Sequence, residues 1–410
     1  MIKKPELLAP AGNLEKLKVA FAYGADAVYM GGKQFGLRAF AGNFDNDEMR
    51  TAVEYAHSIG KKVYVTMNIF AHNDDFKGMK EYMEFLSDIE VDAVILSDPG
   101  VLSLARKIMP NVPIHLSTQS NNTNWHSANF WHEQGVKRII LARELSLREI
   151  SEIRENTPDS LELEAFVHGA MCISYSGRCL LSNVFTGRDA NRGACAHPCR
   201  WKYYIVEDKR PGEYYPIFED DRGTYIMNSK DLCMIEHIPE LINAGINGFK
   251  IEGRMKSSYY VSTVVQAYRK EIDAYFANPE GYTMDPNSLD EIKKASHRPF
   301  TTGFYFRKPT AQDHQYSDSH YIREYDFVGM VRGYDKDNGL IEVEQRNSFG
   351  VGDSLEIMIP GEDYIKYEVN TLLDENREPI LKAPHPQQKV YLPLDREIKP
   401  FSILRRKIKE

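Results

Sequence analysis

The chain has 410 residues, 42% apolar and 27% charged, an ordinary globular composition that predicts two or three domains. Its net charge of -8 neither suggests nor excludes a nucleic-acid partner, because a basic patch can sit on an acidic protein. No apolar run is long enough to cross a membrane, and MIKKPELLAPAG lacks the apolar core of a signal peptide, so a cytoplasmic protein with reduced thiols and no membrane association is expected.

Short apolar runs alternate with amphipathic segments from the start of the chain. The predicted strands are 6–12, 26–32, 62–70, 92–100, 113–121, 138–144, 161–169 and 248–254. Single helical segments separate most of them. Asn13 and Ser146 are placed to cap helices, and Glu149 completes a capping box with Ser146. Gly24, Gly60, Gly135 and Gly245 stand where helices end. In the segment 257–279, Val261, Val264, Val265, Tyr268, Ile272 and Tyr275 share one helical face.

Apolar strands separated by helices indicate a parallel sheet covered on both sides. Eight such units predict an α/β fold, a (β/α)8 TIM-like barrel over residues 1–300. An open doubly wound sheet is the alternative, weakened because no G-x-G-x-x-G follows the first strand. A long insertion, 170–232, follows the seventh strand; in a barrel it opens onto the face where active sites are built. Residues 301–318 read as a linker. Residues 319–410 read as a small C-terminal all-β barrel, with a hairpin turn at Asp337-Asn338-Gly339. The basic tail FSILRRKIKE reads as a solvated terminus.

Four of the five cysteines, Cys172, Cys179, Cys195 and Cys199, lie within 28 positions of the insertion, spaced C-x6-C-x15-C-x3-C. Four thiols in one polar loop point to a metal. Structural zinc prefers two close pairs, and only Cys195 and Cys199 are so spaced. Irregular spacing suits an iron–sulfur cluster, whose usual ligands are four thiolates. Spacing alone leaves iron–sulfur, zinc and no metal open. Cys233 reads as a core residue, with a ligand role in reserve.

Strand ends supply the other candidates. Alternation puts Glu164, Phe166 and His168 on one face, so Glu164 and His168 are candidate catalytic groups, the alternative being a buried ion pair. Ser117, Thr118, Gln119 and Asn121 are too hydrophilic for a plain core strand and resemble a substrate-binding strand end. Lys250, Glu252 and Arg254 alternate onto one face, where charges must pair or bind a ligand. With Arg143 they form a candidate pocket for an anion, guanidinium being suited to carboxylates. No hydrolase device appears: His132 lacks the second histidine of a zinc protease, Ser176 has no base beside it in sequence, and no G-x-S-x-G occurs.

EAFVHGAMCISYSGRCLLS (164–182), ELLAPAGNLEKLKVAFAYGADAVYMGG (6–32) and FKIEGRMKSSYYV (249–261) resemble the collagenase-like peptidase family, also called peptidase family U32, over nearly the whole chain. The resemblance is greatest to its tRNA-hydroxylation branch. It implies prephenate-dependent conversion of the wobble uridine to 5-hydroxyuridine, with tRNA as partner, and a paralogous family member is a further candidate partner. It also implies that Cys172, Cys179, Cys195 and Cys199 hold a 4Fe-4S cluster, with zinc the alternative metal. Prephenate is a dicarboxylate, in keeping with a pocket of Arg143, Lys250 and Arg254. In this picture the C-terminal domain helps to hold tRNA through its tail and Tyr364, Lys366 and Tyr367. Proteolysis, implied by the family name, and a non-catalytic metal-stabilised partner subunit are the competing functions.

Overall fold

The computed structural model describes residues 3–37, 42–171, 179, 181–188, 190, 193–198, 204–205, 215–216, 230–308 and 321–408. Eight parallel strands form its centre: β1 (Glu6–Pro10), β2 (Ala27–Gly31), β3 (Lys62–Met67), β4 (Ala93–Leu96), β5 (Ile114–Leu116), β6 (Val136–Ile140), β7 (Glu162–Ala170) and β8 (Gly248–Ile251). Each pairs with the next, and β8 pairs with both β7 and β1, which closes the ring. These are the eight strands expected from the sequence. The strands are buried almost throughout, because helices cover the outside and side chains fill the inside.

Local signals act as their chemistry requires. Asn13 accepts the Lys16 amide, and Ser146 and Glu149 form a full capping box. Gly24, Gly60, Gly135 and Gly245 take the left-handed conformation that ends a helix. The helix Ser258–Ala277 buries all six residues of its predicted face against the barrel.

Two strand ends depart from the expected pattern, and both shape the site. The fifth strand stops at Leu116; Thr118–Ser120 make a 3-10 turn capped by the Ser117 hydroxyl, and Asn121 is left-handed at φ 50°. In β7, Phe166 pairs with Lys250 but His168 pairs with Ile251, so Val167 is an extra residue in a bulge. Beyond it, the short strand Asp231–Cys233 runs antiparallel to β7 and pairs with Phe300–Thr301. Within the insertion, Leu181–Thr186 is helical and Tyr204–Ile205 pairs with Tyr215–Pro216.

The C-terminal domain is all-β. Its antiparallel sheet runs Ile365–Glu368, Ser354–Met358, Ile403–Lys407, Tyr325–Asp335, Leu340–Gln345, Lys389–Pro393. The Tyr367 hydroxyl, on one edge strand, donates to Pro393 O on the other at 2.8 Å. The predicted hairpin turn forms, with Asp335 accepting the Asp337 and Asn338 amides.

The tail is not a solvated terminus: Ile403–Lys407 is an internal strand of this sheet. Arg405 is fully buried and pairs with Glu356 and with Glu291 of the barrel domain. Arg406 pairs with Asp353. Tyr364 covers Lys294 and Arg405 at the domain junction, so it is not a free aromatic platform, while Lys366 is exposed. The two domains share further bonds. The Tyr23 hydroxyl donates to Met358 O and Phe401 O, and Glu15 binds Arg332 and Arg346. Among the described residues, no helix is long and apolar enough to cross a membrane.

Candidate active site

A cleft opens at the C-terminal ends of the barrel strands, where side chains on different loops converge. One wall is cationic: Arg143 follows β6, while Lys250 and Arg254 come from β8 and its loop. Neutral polar groups line the rest of the mouth: Asn68 after β3, and Ser117, Thr118 and Gln119 after β5, the strand that pairs with β6. The structure thus brings Gln119, Arg143, Lys250, Glu252 and Arg254 together. Asn121, Glu164 and His168 are not among the cleft-lining residues.

Each cation is oriented. The Arg143 guanidinium lies 3.9 Å from the Phe166 ring centroid and reaches Glu252 at 3.2 Å, a stacked, planar presentation suited to a carboxylate. Arg254 is buried and donates to Leu37 O, the Thr66 hydroxyl and the Asn43 amide oxygen. A methyl group at Gly31 would lie 2.4 Å from the Arg254 guanidinium, so glycine is what leaves that side chain its room. The Lys250 ammonium binds Glu164 at 2.9 Å and lies over the Tyr29 ring at 4.4 Å.

Below Lys250 a ladder of charges descends the barrel interior. Glu164, wholly buried, also accepts from Arg138 at 3.1 Å, and Arg138 bonds Glu6 and Glu162 at 2.6 Å. Burial alone would raise the Glu6 carboxyl; Arg138, Tyr64 and Lys62 more than offset it, and its pKa is lowered. Arg138 is likewise held charged by Glu164 and Glu6 against its burial. Sequence reasoning missed Arg138 and Glu6. The available signal was a charged residue opening each apolar run, Glu6 in ELLAPAG and Arg138 in RIILARE.

The expectation that Glu164 and His168 share one face of β7 fails on geometry. The Val167 bulge interrupts the alternation that carried it. Glu164 lies in the ion-pair ladder. His168 is 2% exposed and ringed by Tyr260, Tyr268 and Phe300, and its Nδ1 makes no hydrogen bond. Burial, with Lys256 and His297 nearby, lowers its pKa from 6.5 to about 3. The folded state therefore resists a proton that the unfolded chain accepts. This contribution to stability is full above pH 6.5 and is lost as the pH falls towards 3. His168→Phe is expected to make the fall of Tm between pH 6.5 and about 4 shallower, as read by calorimetry across that range.

Of the four clustered cysteines, Cys172 and Cys199 lie outside the described residues, as does Ser176. Cys179 and Cys195 are half-buried. Cys195 Sγ accepts the His197 amide at 3.4 Å, and Arg188 donates to the Ala194 carbonyl next to it. Amide N–H groups aimed at sulfur suit a metal-bound thiolate, and a four-thiol donor set fits an iron–sulfur cluster. Among the described residues no group of three or more His, Cys, Asp or Glu is gathered for a metal. Cys233 is buried, and burial raises its thiol to about 12 against Tyr268.

A closed (β/α)8 barrel with a cleft lined by cationic and neutral polar side chains at the C-terminal ends of its strands defines an α/β protein of the TIM-like class. Comparison with known proteins gives the family. The model of peptidase family U32 matches residues 12–315, and that of the U32 C-terminal domain matches 323–405. The chain belongs to peptidase family U32. It is 45% identical to tRNA hydroxylation protein P1 of Bacillus subtilis, over 98% of this chain and 95% of that one. It is 40% identical to tRNA hydroxylation protein P of Escherichia coli, over 96% and 95%. Similarity to Bacillus subtilis tRNA hydroxylation protein P2 is 37%, over 75% of this chain and 99% of the relative.

Proposed function

We propose that the chain is an RNA-modifying enzyme that hydroxylates the wobble uridine of tRNA to 5-hydroxyuridine, with prephenate as hydroxyl donor. The observation that carries the reading is the mixed lining of the cleft. Arg143, Lys250 and Arg254 offer a dicarboxylate preformed cations, and the Gln119 carboxamide on the neighbouring strand end suits a neutral base. Relatives called tRNA hydroxylation proteins, aligned over nearly their full length, support it. A paralogous partner and a cytoplasmic location, where tRNA is found, belong to the same proposal.

Cys172, Cys179, Cys195 and Cys199 would hold a 4Fe-4S cluster. When bound, the cluster supplies iron-based redox or Lewis-acid chemistry. The chain's own residues do the rest. Arg143 orients the donor carboxylate, Lys250 fixes the charge at the cleft floor, and Phe166 holds Arg143 flat. Proteolysis is the weaker reading. Among the described residues no histidine lines the cleft, and the Ser117 hydroxyl is engaged by Asn68 rather than by a base. Zinc, or a non-catalytic partner subunit, remains the reading if iron is absent.

Protein purified without oxygen is expected to carry about four irons and four sulfides per chain. It is also expected to form 5-hydroxyuridine in tRNA when given prephenate. Stoichiometric zinc without iron would remove the cluster. Gelatin cleavage abolished by replacing a single nucleophile would restore the peptidase.

A further inference from the structure

The neutral polar side chains of the cleft are, with one exception, already committed. Thr66 Oγ1 donates to Met30 O, Asn68 is held by the Leu37 amide and the Ser117 hydroxyl, and Thr118 Oγ1 donates to Leu141 O. The exception is Gln119. Among the described residues its carboxamide makes no hydrogen bond, and its Oε1 is shielded from solvent. A buried carbonyl oxygen without a donor is destabilising, and such a group is retained where a ligand supplies the missing partner. The backbone beneath it is set: Ser117 caps the 3-10 turn by accepting the Gln119 amide, and Asn121 turns the chain away in the left-handed conformation.

We propose that Gln119 reads the hydrogen-bonding edge of the flipped-out pyrimidine, while Arg143, at the end of the neighbouring strand, holds the donor carboxylate. This rests on the RNA-modifying reading above and assigns the neutral and the cationic groups of its site to two different ligands. A planar carboxamide offers one acceptor and one donor side by side. Uracil offers the complement, N3–H beside a carbonyl oxygen. A carboxylate is no match for Gln119, because its oxygens would face the lone pairs of Oε1 and gain one N–H at most. It belongs with the stacked guanidinium of Arg143. Gln119 is then a specificity residue for the base and has no role in binding the donor.

The test uses full-length protein and two variants, Gln119→Ala and Gln119→Glu, the second keeping the size of the side chain but losing its N–H donor. Both are expected to lower kcat/KM for tRNA roughly 5- to 150-fold, the worth of a bidentate base contact. KM for prephenate should stay within about twofold and Tm should not move, since the side chain makes no bond within the fold. Binding gives a readout independent of turnover. Wild-type protein should prefer an anticodon stem–loop with a wobble uridine over one abasic at that position, and Gln119→Ala should lose that preference. Hydroxylation by the wild type combined with equal preference in wild type and variant overturns this inference alone. A rise in the prephenate KM of Gln119→Ala overturns it as well. No hydroxyuridine from the wild type overturns the proposed function, and this inference with it.

Discussion

Replacing Glu164 with alanine is expected to destabilise the protein by about 3–5 kcal/mol, the usual cost of breaking a wholly buried ion pair. For a domain of this size that corresponds to a fall in Tm on the order of 10 °C. Glu164 has no exposed surface and is the carboxylate that meets both Lys250 and Arg138. Without it Arg138 keeps Glu6 and Glu162, whereas among the described residues Lys250 keeps the faces of Tyr29 and Phe166 alone. The Lys250 end of the ladder, next to the cleft, therefore loosens first. Glu164→Gln keeps the shape and one acceptor and should lose less. Thermal denaturation of the two variants checks the order. A Glu164→Ala protein as stable as the parent would mean that the ladder is not the structural spine of the barrel.

The second large effect is at Arg143. Arg143→Ala is expected to raise KM for prephenate by roughly 10- to 150-fold, since a hydrogen-bonded charge contributes about 1.5–3 kcal/mol and each 1.4 kcal/mol is a factor of ten. Arg143→Lys keeps the charge but loses the flat stacking on Phe166 and the two-pronged donor, so it should recover only part of that loss. Glu252→Gln acts in the opposite sense. Glu252 holds Arg143 at 3.2 Å and competes with an incoming carboxylate, so removing its charge should lower KM for prephenate a few-fold. Initial-rate kinetics on the three variants separate these effects. A donor KM indifferent to Arg143 would place the donor elsewhere.

Much of the barrel is legible in the sequence because a parallel strand covered on both faces reads as an unbroken apolar run, and several runs here, those of β3, β5, β6 and β8 among them, end in polar residues that reach the mouth. That is why Gln119, Arg143, Lys250, Glu252 and Arg254 could be picked out as a group. The limits of such reading are equally physical. A single inserted residue, Val167, reverses which way His168 points, and nothing in LELEAFVHG marks the bulge. The tail looks solvated because its charges are counted locally. Arg405 finds Glu291 114 residues away and Glu356 49 residues away, pairings set by tertiary structure alone. Asn68 and Thr66 were passed over because they sit inside a strand-like run, although a polar residue closing an apolar strand was the signal used at Gln119.

The central claim is most directly tested by nucleoside analysis of tRNA from a strain lacking this gene and any paralogue, complemented with the wild type, Arg143→Ala or Cys195→Ala. Wobble 5-hydroxyuridine should return with the wild type, fall strongly with Arg143→Ala and be absent with Cys195→Ala. Full restoration by both variants, or none by the wild type, would contradict the assignment of this barrel and its thiol loop to RNA hydroxylation.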